Sequence, residues 1–162
     1  LPPLADNEAY VKISTPICFD DAFTDTMRPL YLNGSEVFYN VSDDSWSLTK
    51  SSEYQHFVIA SYRAIEYRTT LVRTTNAGYT VVVDPAGKIL GDLPLFEAST
   101  LIYDVPVFER KLTTYAIFGN WLPVVCIIFF FLVSITSVFS FSKTDFIESE
   151  KHQKNKNLKS KK

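Results

Sequence analysis

The segment Leu122 to Phe141, "LPVVCIIFFFLVSITSVFSF", runs for twenty residues without a formal charge. Its only polar side chains besides Cys126 are the hydroxyls of Ser134, Thr136, Ser137 and Ser140, which can bond back to a helix backbone. A hydrocarbon core about 30 Å thick asks for about twenty apolar residues in a row. A helix buried in a soluble core seldom runs so long without a charge on some face. The run is therefore expected to be a transmembrane helix, with its flanks occupying 117–142. After it comes "KHQKNKNLKSKK", six lysines and no acid. Basic residues beside a span stay cytoplasmic, which puts the tail 143–162 inside and the folded body 1–116 on the opposite face. Trp121 and Tyr115 stand where an aromatic belt is expected.

The charge divides along the same line. From Lys143 onward seven lysines face Asp145, Glu148 and Glu150, so the tail carries +4 and the preceding body -6, within a net charge of -2. An acidic body without a basic, aromatic-interleaved patch excludes nucleic acid as a partner. Two cysteines, Cys18 and Cys126, lie on opposite sides of the expected membrane boundary, so neither a disulfide nor a disulfide framework is expected. The chain opens Leu-Pro-Pro and its only methionine is Met27, and it reads as the C-terminal part of something longer.

In the body, Val11, Ile13, Thr15 and Ile17 alternate with Lys12, Ser14 and Pro16, the period of a strand. "DDAFTDTMRPL" follows as a short helix with acids in its first turn, ended near Pro29. Glu36 to Asn40 is a second strand. Ser52 and Gln55 have capping-box spacing, and Glu53 to Tyr67 places Phe57, Ala60, Ala64 and Ile65 on one helical face. "TTLVRTT" and "GYTVVVD" are strands, "DPAG" at Asp84 to Gly87 favours a type I turn, and Lys88 to Leu90 closes the hairpin. Thr100 to Val107 is expected as one more strand. This order suggests an α/β layered domain.

Cys18 thus sits at a strand-to-helix turn. Backbone N–H groups at a helix start favour a thiolate, whereas Asp20 and Asp21 beside it oppose one unless a carboxyl is paired or turned away, so a nearby cation is needed. The blander reading of such a cysteine is a core residue. His56 and His152 have no companions at ligand spacing, so no metal is expected, and His56 reads as a surface or loop-packing residue.

The succession "PICFDDAF", "NVSDDSW", "QHFVIASYRAIEYRTTLVRTTNAGYTVVVDPAGKIL" and "TTYAIFGNW" resembles, in order and spacing, the C-terminal half of the apolipoprotein N-acyltransferases. These are bacterial membrane members of the nitrilase (carbon-nitrogen hydrolase) superfamily. The similarity runs from about Val11 to Trp121, and that family also ends in a transmembrane helix. The resemblance implies the C-terminal half of a nitrilase-type αββα sandwich followed by one span, in a bacterial inner membrane with the body on the periplasmic face. It implies that Cys18 is the nucleophile, taking an acyl chain from a phospholipid as a thioester and passing it to the N-terminal diacylglyceryl-cysteine of a lipoprotein. Asp20 falls where the family carries Glu, Asp43 where its loop carries Asn, and Trp46 on its loop tryptophan. Asn76 and Gly78 match the segment lining the same region, Tyr115 the approach to the last span, and Arg63 with Glu66 a helix pair that reads as a structural ion pair.

No cofactor is implied. The superfamily also uses a Glu base and an oxyanion-stabilising Lys, both upstream of the cysteine, and neither Glu8 nor Lys12 matches them. The resemblance therefore implies a partner, the missing N-terminal portion, that completes the site. Two other readings stay open: a membrane-tethered nitrilase-type amidase, and an inactive remnant or structural subunit.

Overall fold

The computed structural model describes residues 10–137, and the chain falls into two compact units that divide between Gly119 and Asn120. In the first unit the elements run β1 (Ile13–Ser14), a 3-10 turn (Cys18–Ala22), α1 (Thr24–Leu32), β2 (Val37–Asp43), α2 (Lys50–Tyr67), β3 (Thr70–Asn76), β4 (Val81–Val83), β5 (Ile89–Asp92) and α3 (Thr114–Phe118). The strands form one sheet in sequence order. β1, β2 and β3 are parallel, and β4 and β5 turn back antiparallel. The α/β reading holds, with a mixed sheet.

Alternation along β2 and β3 decides what each face buries. Phe38 pairs with Leu71, Asn40 with Arg73 and Ser42 with Thr75 on the face toward α2. The main core lies there: Met27 and Tyr31 of α1, Phe57, Ala60, Ala64 and Tyr67 of α2, and Phe38, Leu71, Val81 and Val83 of the sheet. The rings of Tyr31, Phe38 and Tyr67 meet with centroids 5.0 to 6.4 Å apart, Tyr67 meeting Phe38 edge-on. The opposite face is covered only in part, where Leu90 and Leu101 pack on Val37, Val72 and Val82. Further along β2 that face is open, leaving Tyr39 37% and Val41 48% exposed.

Several local expectations change. The strand expected from Val11 to Ile17 keeps only Ile13–Ser14 in the ladder, with an isolated bridge from Ile17 to Val41. α1 passes through Pro29 to Leu32 rather than ending at it. Tyr31 and Met27, fully buried on either side of the proline, hold that turn in place. α2 starts three residues before the expected Glu53, with Thr49 as its N-cap and no side-chain cap, so the Ser52–Gln55 box is not used. It ends as Arg68 turns left-handed and the Thr69 N–H reaches the Ala64 carbonyl. The Asp84–Gly87 turn forms as expected: the Gly87 N–H donates to the Asp84 carbonyl at 2.9 Å, and Gly87 takes φ 82°. Thr100 to Val107 is not a strand. Leu101 leaves the ladder to cover the second face, and Pro106 uses its carbonyl to accept from the Thr70 hydroxyl.

In the second unit, residues 121–137 are helical. Among the described residues no helix is long and apolar enough to cross a membrane. The end of the expected span, 138–141, lies outside the described residues, as do the tail 143–162 and the linker 1–9.

Candidate active site

The three parallel strands end on one edge of the sheet, where ligands of open α/β sheets are bound. Cys18 follows β1 there, Asp43 closes β2 and Asn76 closes β3. The Val41 N–H donates to the Pro16 carbonyl, carrying β1 alongside β2 up to the turn. At Cys18 the backbone kinks into the left-handed region, φ 53°, a conformation that L-residues disfavour. The kink is braced on both sides. The Cys18 carbonyl accepts from Asn40 Nδ2 at 2.9 Å, and the Ile17 N–H donates to Asp20 Oδ2 at 2.9 Å while the Asp20 N–H returns to the Ile17 carbonyl. The cysteine is half-buried, and neither it nor the exposed Cys126 is in a disulfide.

The other expected residues are placed as follows. Asp20 serves as the side-chain cap of the turn. Asp43 Oδ1 accepts from the Ser45 N–H at 3.0 Å and from Asn76 Nδ2 at 3.2 Å, so these two strand ends touch directly. The bonds from Ser45 hold the Asp43 carboxyl below the usual carboxylate range, with Asn76 adding to them. Trp46 is 66% exposed, with its ring 6.5 Å from that of Phe19. Asn76 also lines a cleft of about 410 Å³ together with Leu48, Gly78, Leu93 and Phe96. Arg63 and Glu66 form the expected ion pair at 3.0 Å, and Arg63 Nη1 donates to the Thr24 hydroxyl. Burial raises the Glu66 carboxyl against the pull of Arg63 and Tyr115.

Sequence reasoning misplaced the residue nearest the turn's foundation. His56 is not on the surface: it is 3% exposed, on the inner face of α2, and its ring stacks on Phe19 at 4.1 Å. Its Nε2 lies 3.1 Å from Asp21 Oδ1 and its Nδ1 3.0 Å from Asp44 Oδ1. Arg73 of β3 donates from Nε to Asp21 Oδ2 at 2.9 Å, with Nη2 3.6 Å from Asp44 Oδ2 and 3.2 Å from both ring nitrogens. Asp21, Asp44 and Arg73 are essentially inaccessible to solvent. Burial alone would depress the imidazole, and Arg73 adds to that, but the two carboxylates prevail and push His56 up to about 9. At neutral pH it is therefore an imidazolium donating from both nitrogens. The same bonds outweigh burial at Asp44 and hold it below the usual range, with Ser42 Oγ donating at 2.8 Å. Two cations and two anions then balance, as a buried cluster requires.

One signal for this cluster was legible in advance. Arg73 alternates with Leu71 in "TLVRTT", and a charge on the strand face that the leucine buries survives only with partners. The pairing also answers the objection that Asp21 would oppose a thiolate: its carboxylate is turned inward onto two cations. Among the described residues no group of three or more His, Cys, Asp or Glu side chains is arranged to hold a metal ion.

Residues 2–113 match the family model described as carbon-nitrogen hydrolase. An apolipoprotein N-acyltransferase of Treponema denticola is 54% identical over 129 residues, 80% of this chain and 24% of that protein. One of Treponema pallidum is 48% identical over 121 residues, 75% of this chain and 22% of its own length. The chain spans about a quarter of the length of these curated relatives. Among solved structures, a carbon-nitrogen hydrolase from Helicobacter pylori aligns over 54% of this chain and 38% of its own, with 20% identity and a TM-score of 0.48.

Proposed function

The chain belongs to the carbon-nitrogen hydrolase family, and on that premise we propose that it is the C-terminal part of an apolipoprotein N-acyltransferase with Cys18 as its nucleophile. The observation that carries this reading is the braced left-handed kink at the C-terminal edge of the parallel strands, which presents a half-buried thiol from a turn that neighbouring elements hold still. A thiol is suited to two-step acyl transfer. In the first step the Cys18 sulfur, after losing its proton, attacks the ester carbonyl of a phospholipid. A C–S bond forms, the ester C–O bond breaks, and the lysophospholipid leaves as an alcohol once its oxygen takes a proton. In the second, the α-amino group of a diacylglyceryl-cysteine attacks the thioester. An amide C–N bond forms, the C–S bond breaks, and the amine's proton returns to the thiol. Asp20, Asp43, Trp46 and Asn76 support this edge of the site.

The proton acceptor and oxyanion donor come, in this reading, from a protein segment outside the chain, the glutamate and lysine that the family places before the cysteine. The open apolar stretch of the second sheet face, with Tyr39 and Val41, suits a covering layer from the same segment. The proposed organisation is 1–116 as the partial hydrolase domain, 117–142 as a span and 143–162 as a cytoplasmic tail. The body then lies on the periplasmic face of the inner membrane.

The test is acyl transfer from phosphatidylethanolamine vesicles to a diacylglyceryl-cysteine peptide, with the chain expressed together with whatever reading frame precedes it. Transfer is expected, and Cys18→Ala is expected to abolish it. Transfer that survives Cys18→Ala overturns the assignment. Release of ammonia from short-chain amides, with no transfer from lipid, replaces it with the amidase reading.

A further inference from the structure

His56 touches the Cys18 turn twice, and by two different interactions. Its ring face lies on Phe19, one residue after the cysteine, at 4.1 Å and within 13° of parallel. Its Nε2 meets the carboxylate of Asp21, three residues after the cysteine, at 3.1 Å. Arg73 grips the other oxygen of that carboxylate at 2.9 Å. The turn is only five residues long, so these contacts govern most of its freedom. A left-handed backbone at a residue with a Cβ persists only when its surroundings over-determine it. Hydrogen bonds from Asn40 and Asp20 hold the backbone at Cys18 itself, and in the far half the Phe23 N–H reaches the Asp20 carbonyl at 3.2 Å, but these bonds do not tie that half to β3 or α2. The side chains that do so stand on separate elements: His56 on α2, Arg73 on β3, and Asp44 just past β2, whose carboxylate holds the opposite ring nitrogen at 3.0 Å.

We propose that His56 and Arg73 are positioning residues for Cys18, acting through Phe19 and Asp21 to keep the turn in the one geometry that presents the thiol. Neither residue reacts. The inference rests on Cys18 being the working thiol, and it adds a second tier to the site behind the residues the sequence pointed to. The charged groups facing His56 are Asp21 on the turn, Asp44 after β2 and Arg73 on β3, while Glu53 on its own helix is engaged by the Ser47 hydroxyl at 2.5 Å. Loss of the second ring proton leaves one of the two carboxylates without its donor, so the grip on the turn depends on the charge of the ring.

The test uses the full chain in detergent micelles with Cys126→Ser, which leaves Cys18 as the sole thiol. Deuterium exchange over residues 17–23 and the rate of Cys18 alkylation by iodoacetamide are measured for His56→Ala, His56→Gln and Phe19→Leu. In His56→Ala, exchange over 17–23 is expected to accelerate at least tenfold while β3 and β4 stay protected. The alkylation rate is expected to move to that of a free peptide spanning 11–23. Gln, which keeps one donor, should lie between. Exchange and alkylation unchanged in a folded His56→Ala overturn the proposal. Should that variant unfold, Phe19→Leu decides: it removes the stack from a partly exposed position, and an unchanged alkylation rate there is equally fatal. In acyl transfer from phosphatidylethanolamine, with the chain expressed together with the reading frame that precedes it, His56→Gln should lower kcat at least tenfold with KM unchanged. An assembly of that kind that transfers nothing in any form refutes the proposed function but leaves the exchange and alkylation results to judge the positioning claim.

Discussion

Gly78→Ala is the substitution that most directly probes the buried charge cluster. Gly78 does not have a left-handed φ, so the cost of a side chain there is contact and not backbone conformation. A Cβ at 78 would lie 2.3 Å from Asp44 Oδ2 and 2.9 Å from its Cβ and Cγ, where ordinary contact begins at 3.4 Å. The carboxylate must therefore retreat by about 1 Å. It cannot slide freely, because the Asp44 N–H is tied to the Asn76 carbonyl at 3.0 Å and Oδ1 is shared by Ser42 and His56. A retreat of that size takes Oδ1 out of hydrogen-bond range of His56 Nδ1. Losing a hydrogen bond to a charged group costs about 1.5–3 kcal/mol, and overpacking costs about 1–3 kcal/mol. The two overlap, since moving the carboxylate relieves the crowding, so about 3 kcal/mol is expected. Urea unfolding followed by tryptophan fluorescence reads it. Asp44→Gly removes all the atoms that clash, Cβ included, so adding Gly78→Ala to it should cost under about 0.5 kcal/mol, giving a coupling of about 2 kcal/mol or more in the double-mutant cycle. A Gly78→Ala chain within about 0.5 kcal/mol of the parent, or two costs that simply add, would refute the reasoning.

Two further outcomes follow from the same geometry. The folded-state value of His56 is raised to about 9 from its ordinary 6.5, so its contribution is complete below pH 6.5 and is lost as the pH rises through 9. That span corresponds to about 3 kcal/mol at most, and the urea midpoint should fall between pH 6.5 and 9.5 in the parent but much less in His56→Ala; equal slopes would sink the assignment. Asp20 caps the Cys18 turn through one oxygen, so Asp20→Ala should cost about 1 kcal/mol, while Asp20→Asn, which keeps an acceptor, should be nearly neutral in a thermal melt. Equal losses in the two variants would mean that the charge of Asp20, and not its hydrogen bond, is what the fold uses.

Much of the layout could be read in advance because it follows from local rules. The run "EVFYN" and the β-branched "TTLVRTT" mark strands β2 and β3, and the spacing of Phe57, Ala60 and Ala64 marks the inner face of α2. The Asp84–Gly87 turn depends only on the chemistry of its own four residues. The location of Cys18 at a strand-to-helix turn was legible for the same reason. Local rules failed where long-range packing had more to gain. Thr100 to Val107 has strand propensity, but Leu101 packs on the second face of the sheet while Ile102 beside it is 94% exposed, and the segment pairs with no strand. Pro29 should end a helix, but the buried Met27 and Tyr31 carry α1 through it.

The division is sharpest at the site. The sequence alone determined strands β2 and β3, the amphipathic helix, the turn chemistry and the presence of a thiol where strand passes to helix, because each depends on residues within a few positions of one another. It also supplied Asp43 and Asn76, whose contact follows once β2 and β3 run parallel in register. Only the tertiary structure decided that Asp21 faces inward, that His56 is a buried imidazolium and that Arg73 is their common partner. Those residues are 17 to 52 positions apart along the chain. No local pattern encodes their meeting, and each carries a charge that can be buried only because the fold brings the three together with Asp44.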